Sequence, residues 1–116
     1  NMGSIGKQYR HFGDIQLCYN RGIITGKMSF GNYKRDYSLE TSKEKLKAFL
    51  QEVDEEMIQL IDDNRDRKIN WFGEQWTVKQ HLEALIEHEI LHQGELIVYI
   101  RTLGLEFPSS WEMWGL

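Results

Sequence analysis

The chain has 116 residues, enough for one domain with a modest core, since 41% of its residues are hydrophobic. Its formal net charge is −4 and it contains no basic run, so we expect no nucleic-acid partner. No apolar stretch is long enough to cross a membrane, and the single cysteine, Cys18, excludes an internal disulfide. We therefore expect a cytoplasmic protein with a single domain over residues 1–116.

Hydrophobic spacing predicts two long helices in the first half of the chain. The first begins at Ser4, a potential N-cap, and ends at Gly26. The second begins near Thr41 or Ser42, and its apolar stripe consists of Leu46, Phe49, Leu50, Val53, Met57, Leu60 and Ile61. Residues 27–40 have no helical period and contain the turn-forming pair Gly31-Asn32, so we expect a loop there. We expect residues 62–68 to end the second helix as a solvated turn.

The second half of the chain predicts a small hairpin followed by the longest helix. Residues 69–76 are predicted to be extended and to form a hairpin about Gly73. Thr77 then caps a helix that runs to Leu103, with Gly104 in the position after its end. Beyond Pro108, the aromatic residues Trp111 and Trp114 are expected to fold back onto the helices.

The third helix carries the strongest functional signal in the chain. His88 and His92 are four residues apart in the run His-Glu-Ile-Leu-His, so they share one helix face. That spacing lets two imidazoles reach one metal ion. The apolar residues of the same stripe point both rings inward, and metal ligation is favoured over a purely structural hydrogen-bonding role.

The chain has two other histidines, and they are expected to differ in role. His11 on the first helix is the natural third ligand if that helix packs against the third. His81 lies two turns before His88, too far to share its metal, and is expected to support the site or the fold. Cys18 lies two turns beyond His11 and is expected to be a buried core cysteine.

The same run also fits the zinc-protease pattern H-E-x-x-H, in which Glu89 would be the general base. Several features oppose this alternative. Val98 stands where the extended protease pattern has a third histidine, and the acidic alternatives, Glu106 and Glu112, lie in the Pro-containing tail. No strand-rich segment precedes the motif to hold a peptide.

Residues 77–111, with their His-x-x-x-His step followed by Gly94 and then Tyr99-Ile-Arg, Gly104 and Pro108, resemble the closing helix of the DinB/YfiT-like superfamily. The stretch from Ser4 to Gln16 resembles the helix that supplies the first histidine of that family.

The resemblance implies an all-α, DinB-like helical bundle with a three-histidine metal site formed by His11, His88 and His92. It implies a divalent transition metal, most often nickel or zinc, and a metal-dependent transferase or hydrolase that acts on a small molecule. Characterised relatives include transferases that use a low-molecular-weight thiol, bacillithiol or mycothiol. A non-catalytic domain with a vestigial metal is the alternative.

The chain departs from the family pattern in two places. The family usually has Arg-Gly-Gln after the second histidine of the pair, whereas this chain has Gln93-Gly94-Glu95, which makes Glu95 a candidate base beside Glu89. The family also has a helix before the one with the first histidine, and only residues 1–3 precede Ser4. We therefore expect three long helices of the four-helix pattern, completed by a homodimer or by the tail.

Gly94 lies inside the third helix, where glycine costs ~1 kcal/mol relative to alanine. We therefore expect a neighbouring helix, or the backbone of the metal site, to pack against it.

Overall fold

The computed structural model describes residues 4–31 and 33–116 and contains three long helices. These are α1 (Ile5–Thr25), α2 (Lys43–Asp63) and α3 (Val78–Thr102). The Ser4 side chain accepts a hydrogen bond from the amide of Lys7 and so begins α1. Gly26, with φ of 76°, ends it in the left-handed region that favours glycine. The prediction of an all-α bundle is confirmed.

A two-stranded antiparallel hairpin connects α2 to α3. Strand β1 (Lys68–Trp71) pairs with β2 (Glu74–Thr77), and Gly73 at the turn has φ of 103°. Thr77 caps α3 in a capping box with Gln80, in which each residue bonds the backbone amide of the other. The hairpin and the start of α3 therefore lie where the sequence predicted them.

Two segments contain more regular structure than expected. The predicted loop over residues 27–40 includes a short 3-10 helix, Tyr37–Glu40, which the Asp36 side chain caps, and an isolated bridge from Lys27 to Asn70. Asn32, half of the predicted Gly-Asn turn, lies outside the described residues. The tail forms a second 3-10 helix, Ser109–Trp114.

The tail aromatics reach the bundle to different extents. Trp111 lines a cavity of about 250 Å³ between the three long helices, as expected of a residue that folds back. Trp114 is 54% exposed and lies beside the outer surface of α3, near Ile97.

The core is formed where α1 meets α2, α3 and the hairpin. Its centre is the buried stretch of α1 that contains Cys18, Tyr19 and Ile23. Ile15 of α1 also belongs to the core, and the remaining members come from the rest of the chain and are Met28, Met57, Ile69, Val78 and Leu85. Within the described residues, no helix is both long and apolar enough to cross a membrane.

The outer side of α3 differs from the expectation. Gly94 is exposed, and a Cβ built there would meet no heavy atom within 4 Å among the described residues. The expectation that a neighbouring helix or the metal-site backbone packs against Gly94 is therefore wrong for this chain. On the same side, Ile86 and Ile90 are 54% and 60% exposed, so α3 presents an apolar surface to solvent.

Candidate metal centre

The structure brings three of the four histidines together. His11 comes from α1, and His88 and His92 come from successive turns of α3. Their ring centroids are 5.3 Å apart for His11 and His88, 4.7 Å for His11 and His92, and 4.4 Å for His88 and His92. One nitrogen of each ring lies within 4.8 Å of the other two.

A hydrogen bond determines the tautomer of His92. Its Nδ1 lies 2.9 Å from Oε2 of Glu95, and because a carboxylate can only accept, Nδ1 carries the proton. Nε2 of His92 is then the unprotonated nitrogen, and it lies 3.0 Å from Nε2 of His88, from which it can accept a hydrogen bond. A carboxylate that holds the outer nitrogen of an imidazole in this way is the usual support of a metal-binding histidine.

The residues present fit a divalent transition ion. Two metal–nitrogen bonds of ~2.0–2.1 Å at roughly right or tetrahedral angles place their nitrogens about 2.9–3.4 Å apart, which includes the separation between His88 and His92. Nδ1 of His88 is buried and has no hydrogen-bond partner among the described residues. The His88 ring thus lacks one hydrogen-bond partner within the described part of the protein. Together, the three imidazoles form a donor set typical of zinc or nickel.

The cluster favours uncharged imidazoles, the form that binds metals. Burial lowers the pKa of His11 to about 4, and the neighbouring His92 and His88 contribute in the same direction. Burial and His92 also lower the pKa of His88, against an opposing effect of Glu95. At neutral pH both rings therefore have their lone pairs available.

The cluster opens into a cleft of about 330 Å³, which we call the histidine cleft. Its walls include His11, His92 and Glu95 from the predicted site. Three basic side chains, Lys7, Arg10 and Arg35, and the amide of Gln8 complete the lining. Of the two candidate bases, Glu95 is thus placed beside the histidines.

Glu89, the other candidate base, lines the cavity between the three helices together with Phe12 and Trp111. The Phe12 ring packs edge-on against His92 with centroids 5.8 Å apart. Burial, followed by the charge of Asp54, raises the pKa of the Glu89 carboxyl. Glu89 therefore shares a cavity with Asp54, whereas the histidine cleft has Glu95.

His81 is held by the fold, as its distance from His88 predicted. It is fully buried, its Nδ1 accepts a hydrogen bond from Nε1 of Trp71 at 2.8 Å, and its Nε2 lies 2.8 Å from the carbonyl oxygen of Tyr19. The ring thus ties the hairpin and α1 to α3. Cys18 is buried and unpaired, as predicted.

Sequence reasoning missed the basic side chains of the histidine cleft. Lys7 precedes His11 by four residues on α1, so the spacing that identified the histidine pair could have placed it on the same face. Arg35 comes from the connection between α1 and α2, where no periodicity predicts which side chain approaches the site.

The fold and the cluster define a helical-bundle protein with a candidate three-histidine metal centre. A family model described as the DinB family matches residues 25–114, and the chain belongs to this family. The matched region contains His88 and His92, while His11 precedes it. The chain is also similar to a protein of Bacillus subtilis (strain 168) described as uncharacterized protein YjoA, at 37% identity over 67 residues. That match covers 55% of this chain and 39% of the relative.

Proposed function

We propose that this DinB family member binds one divalent transition metal through His11, His88 and His92 and acts as a metal-dependent enzyme of transferase or hydrolase type. The observation that carries the proposal is the convergence of three imidazole nitrogens, within 4.8 Å of one another, from two helices. Zinc and nickel are the metals that suit this donor set. We also propose a cytoplasmic location, in which the single cysteine stays reduced.

The proposed roles follow from the geometry of the histidine cleft. His11, His88 and His92 would hold the metal, and a bound divalent ion would supply Lewis acidity that lowers the pKa of a thiol or water. Glu95 keeps His92 in the tautomer that exposes Nε2. Because Glu95 also lines the cleft, its carboxylate is placed to take the proton released by a small thiol or by water.

Metal analysis tests the binding step. Untagged protein, loaded with zinc or nickel and desalted, is expected to retain one equivalent, and the His88→Ala, His92→Ala double variant is expected to retain almost none. The matched control is Glu83→Ala, Glu87→Ala, another pair four residues apart on exposed positions of α3. Unchanged stoichiometry in the histidine variant would exclude this site.

A second measurement separates an enzyme from a vestigial site. Metal-loaded protein is assayed with a small thiol and a labile electrophile, and metal-dependent, saturable turnover is expected. A metal that raises only the melting temperature, with no turnover for any thiol, would favour a non-catalytic domain. Cleavage of a protein substrate that Glu89→Gln abolishes would instead establish the zinc-protease alternative.

We further propose that two copies associate through the apolar side of α3 formed by the exposed Ile86 and Ile90 and the half-buried Leu82 and Ile97. These residues recur at helical spacing along one side of α3, and a surface on a single straight helix can pair with itself about a two-fold axis. Light scattering at micromolar concentration is expected to give a dimer mass, and Ile86→Asp, Ile90→Asp a monomer mass. A monomeric parent protein with a sharp thermal transition would refute the dimer.

A further inference from the structure

The walls of the histidine cleft carry more positive charge than the metal ligands require. Lys7, Arg10 and Arg35 surround the opening, and Glu95 is the acidic residue among the lining side chains. Glu95 is already engaged, because its Oε2 bonds His92. Among the residues that line the cleft, the excess of charge is therefore basic.

Arg10 is not available to a ligand. It is buried, forms an ion pair with Asp14 and donates from Nε to Oε1 of Glu40 at 2.9 Å. Two carboxylates thus neutralise it and hold it in place. Its contribution is to position the start of α1 against the 3-10 helix Tyr37–Glu40.

Lys7 and Arg35 are in the opposite situation. Both are exposed, and within residues 4–31 and 33–116 neither forms an ion pair with a carboxylate. Arg35 is instead oriented by the side chains of Tyr33 and Tyr37. Both side chains line the same cleft as His11 and His92, so their charges lie at the opening of the histidine cluster.

We infer that the substrate of this site carries a negatively charged group, a carboxylate or phosphate, which Lys7 and Arg35 bind while the reacting atom lies at the three histidines. Lys7 is one helical turn before His11, so its backbone lies ~6 Å along the α1 axis from the ligand. The cleft that these residues line has a volume of about 330 Å³, which accommodates a small organic acid. The inference rests on the proposed metal-dependent function and extends it to a substrate class.

The test compares three small thiols that differ in charge: mercaptoacetate, 2-mercaptoethanol and cysteamine. Protein loaded with cobalt(II) reports thiolate binding through its absorption spectrum. Because both cations are exposed, we expect mercaptoacetate to be favoured over 2-mercaptoethanol by about ten-fold at low salt and less at high salt. Cysteamine is expected to bind most weakly.

Matched variants assign the preference to the two side chains. In the double variant Lys7→Gln, Arg35→Gln, the ratio of the affinities for mercaptoacetate and 2-mercaptoethanol is expected to fall. It should approach the ratio with which the two thiols bind cobalt(II) in solution without protein. Lys27→Gln, Lys68→Gln removes the same charge at positions that do not line the cleft and is expected to keep the parent ratio. An equal ratio in both double variants, or no preference in the parent, would overturn the inference.

The proposed function can fail separately. If cobalt(II) does not bind, or binds equally to the His88→Ala, His92→Ala variant, the metal centre is wrong. The anion site is then tested on metal-free protein by titration with inorganic phosphate, followed through the backbone amide signals of His11 and Lys7. Saturable shifts that disappear in Lys7→Gln, Arg35→Gln would support the anion site, and their absence would overturn it. Comparison of phosphate with acetate distinguishes the two acidic groups.

Discussion

Removal of the Glu95 carboxylate should weaken metal binding at the three histidines without removing a ligand. The side chain makes one hydrogen bond of 2.9 Å, to Nδ1 of His92, and is 42% exposed, whereas His92 is 17% exposed. Supporting partners of this kind contribute about 10–100-fold in metal affinity. Because water can partly replace a half-exposed acceptor, we expect Glu95→Ala to fall at the lower end, about ten-fold or about 1.4 kcal/mol.

Competition with a chromophoric chelator at fixed pH and ionic strength measures this change. Glu95→Gln retains an acceptor oxygen, so its metal affinity should fall only about three-fold. This decrease measures the contribution of the negative charge. Glu87→Ala, an exposed position on α3, removes the same charge and serves as the control. If Glu95→Ala binds metal as tightly as the parent, or if Glu87→Ala is equally weakened, the hydrogen bond to His92 does not support the site.

Four further predictions concern the metal-free protein. A Cβ at Gly6 would lie 2.1 Å from the carbonyl oxygen of Glu40, so Gly6→Ala should lower the free energy of unfolding by about 1–3 kcal/mol in urea denaturation. The same substitution at Gly94, where an added Cβ would meet no atom within 4 Å, should raise the free energy of unfolding by up to ~1 kcal/mol. A decrease would instead reveal a neighbour that packs directly against the Gly94 backbone. The pKa of His11 is lowered in the folded state from 6.5 to about 4, so the unfolded chain binds more protons in that window. Stability should therefore fall as the pH decreases from 6.5 towards 4, and His11→Phe should reduce the slope of denaturation free energy against pH. His81→Leu should cost about 2–4 kcal/mol, because it leaves a buried carbonyl and an indole N–H without their partner, and unchanged stability would refute the structural role.

The local elements and the histidine pair of α3 could be predicted from the sequence because each depends on short-range spacing. Ser4 and Thr77 are caps whose side chains bond amides three residues ahead. His88 and His92 are one turn apart on any helix, and the structure adds only their approach to His11.

The features that were missed or wrong depend on packing between distant segments. The bridge from Lys27 to Asn70 joins the end of α1 to the hairpin, and no local pattern indicates it. The approach of Arg35 to the cleft likewise follows from the path of a whole connection. The expectation for Gly94 failed because an intrinsic helix cost was taken to require a compensating contact, whereas other interactions of α3 can offset it.

The positions of the histidines along the chain have a consequence for folding. His11 lies in the first long helix and His88 in the last, so an ion held by both would close a loop of roughly 80 residues, a covalent-like cross-link. A chain with one cysteine cannot make such a link by a disulfide. By the chain-entropy account of cross-links, closing a loop of this length restricts the unfolded ensemble by about 4–5 kcal/mol, less whatever the unfolded histidines bind. A metal ion bound at the centre would then also show that the first and last long helices have packed against each other.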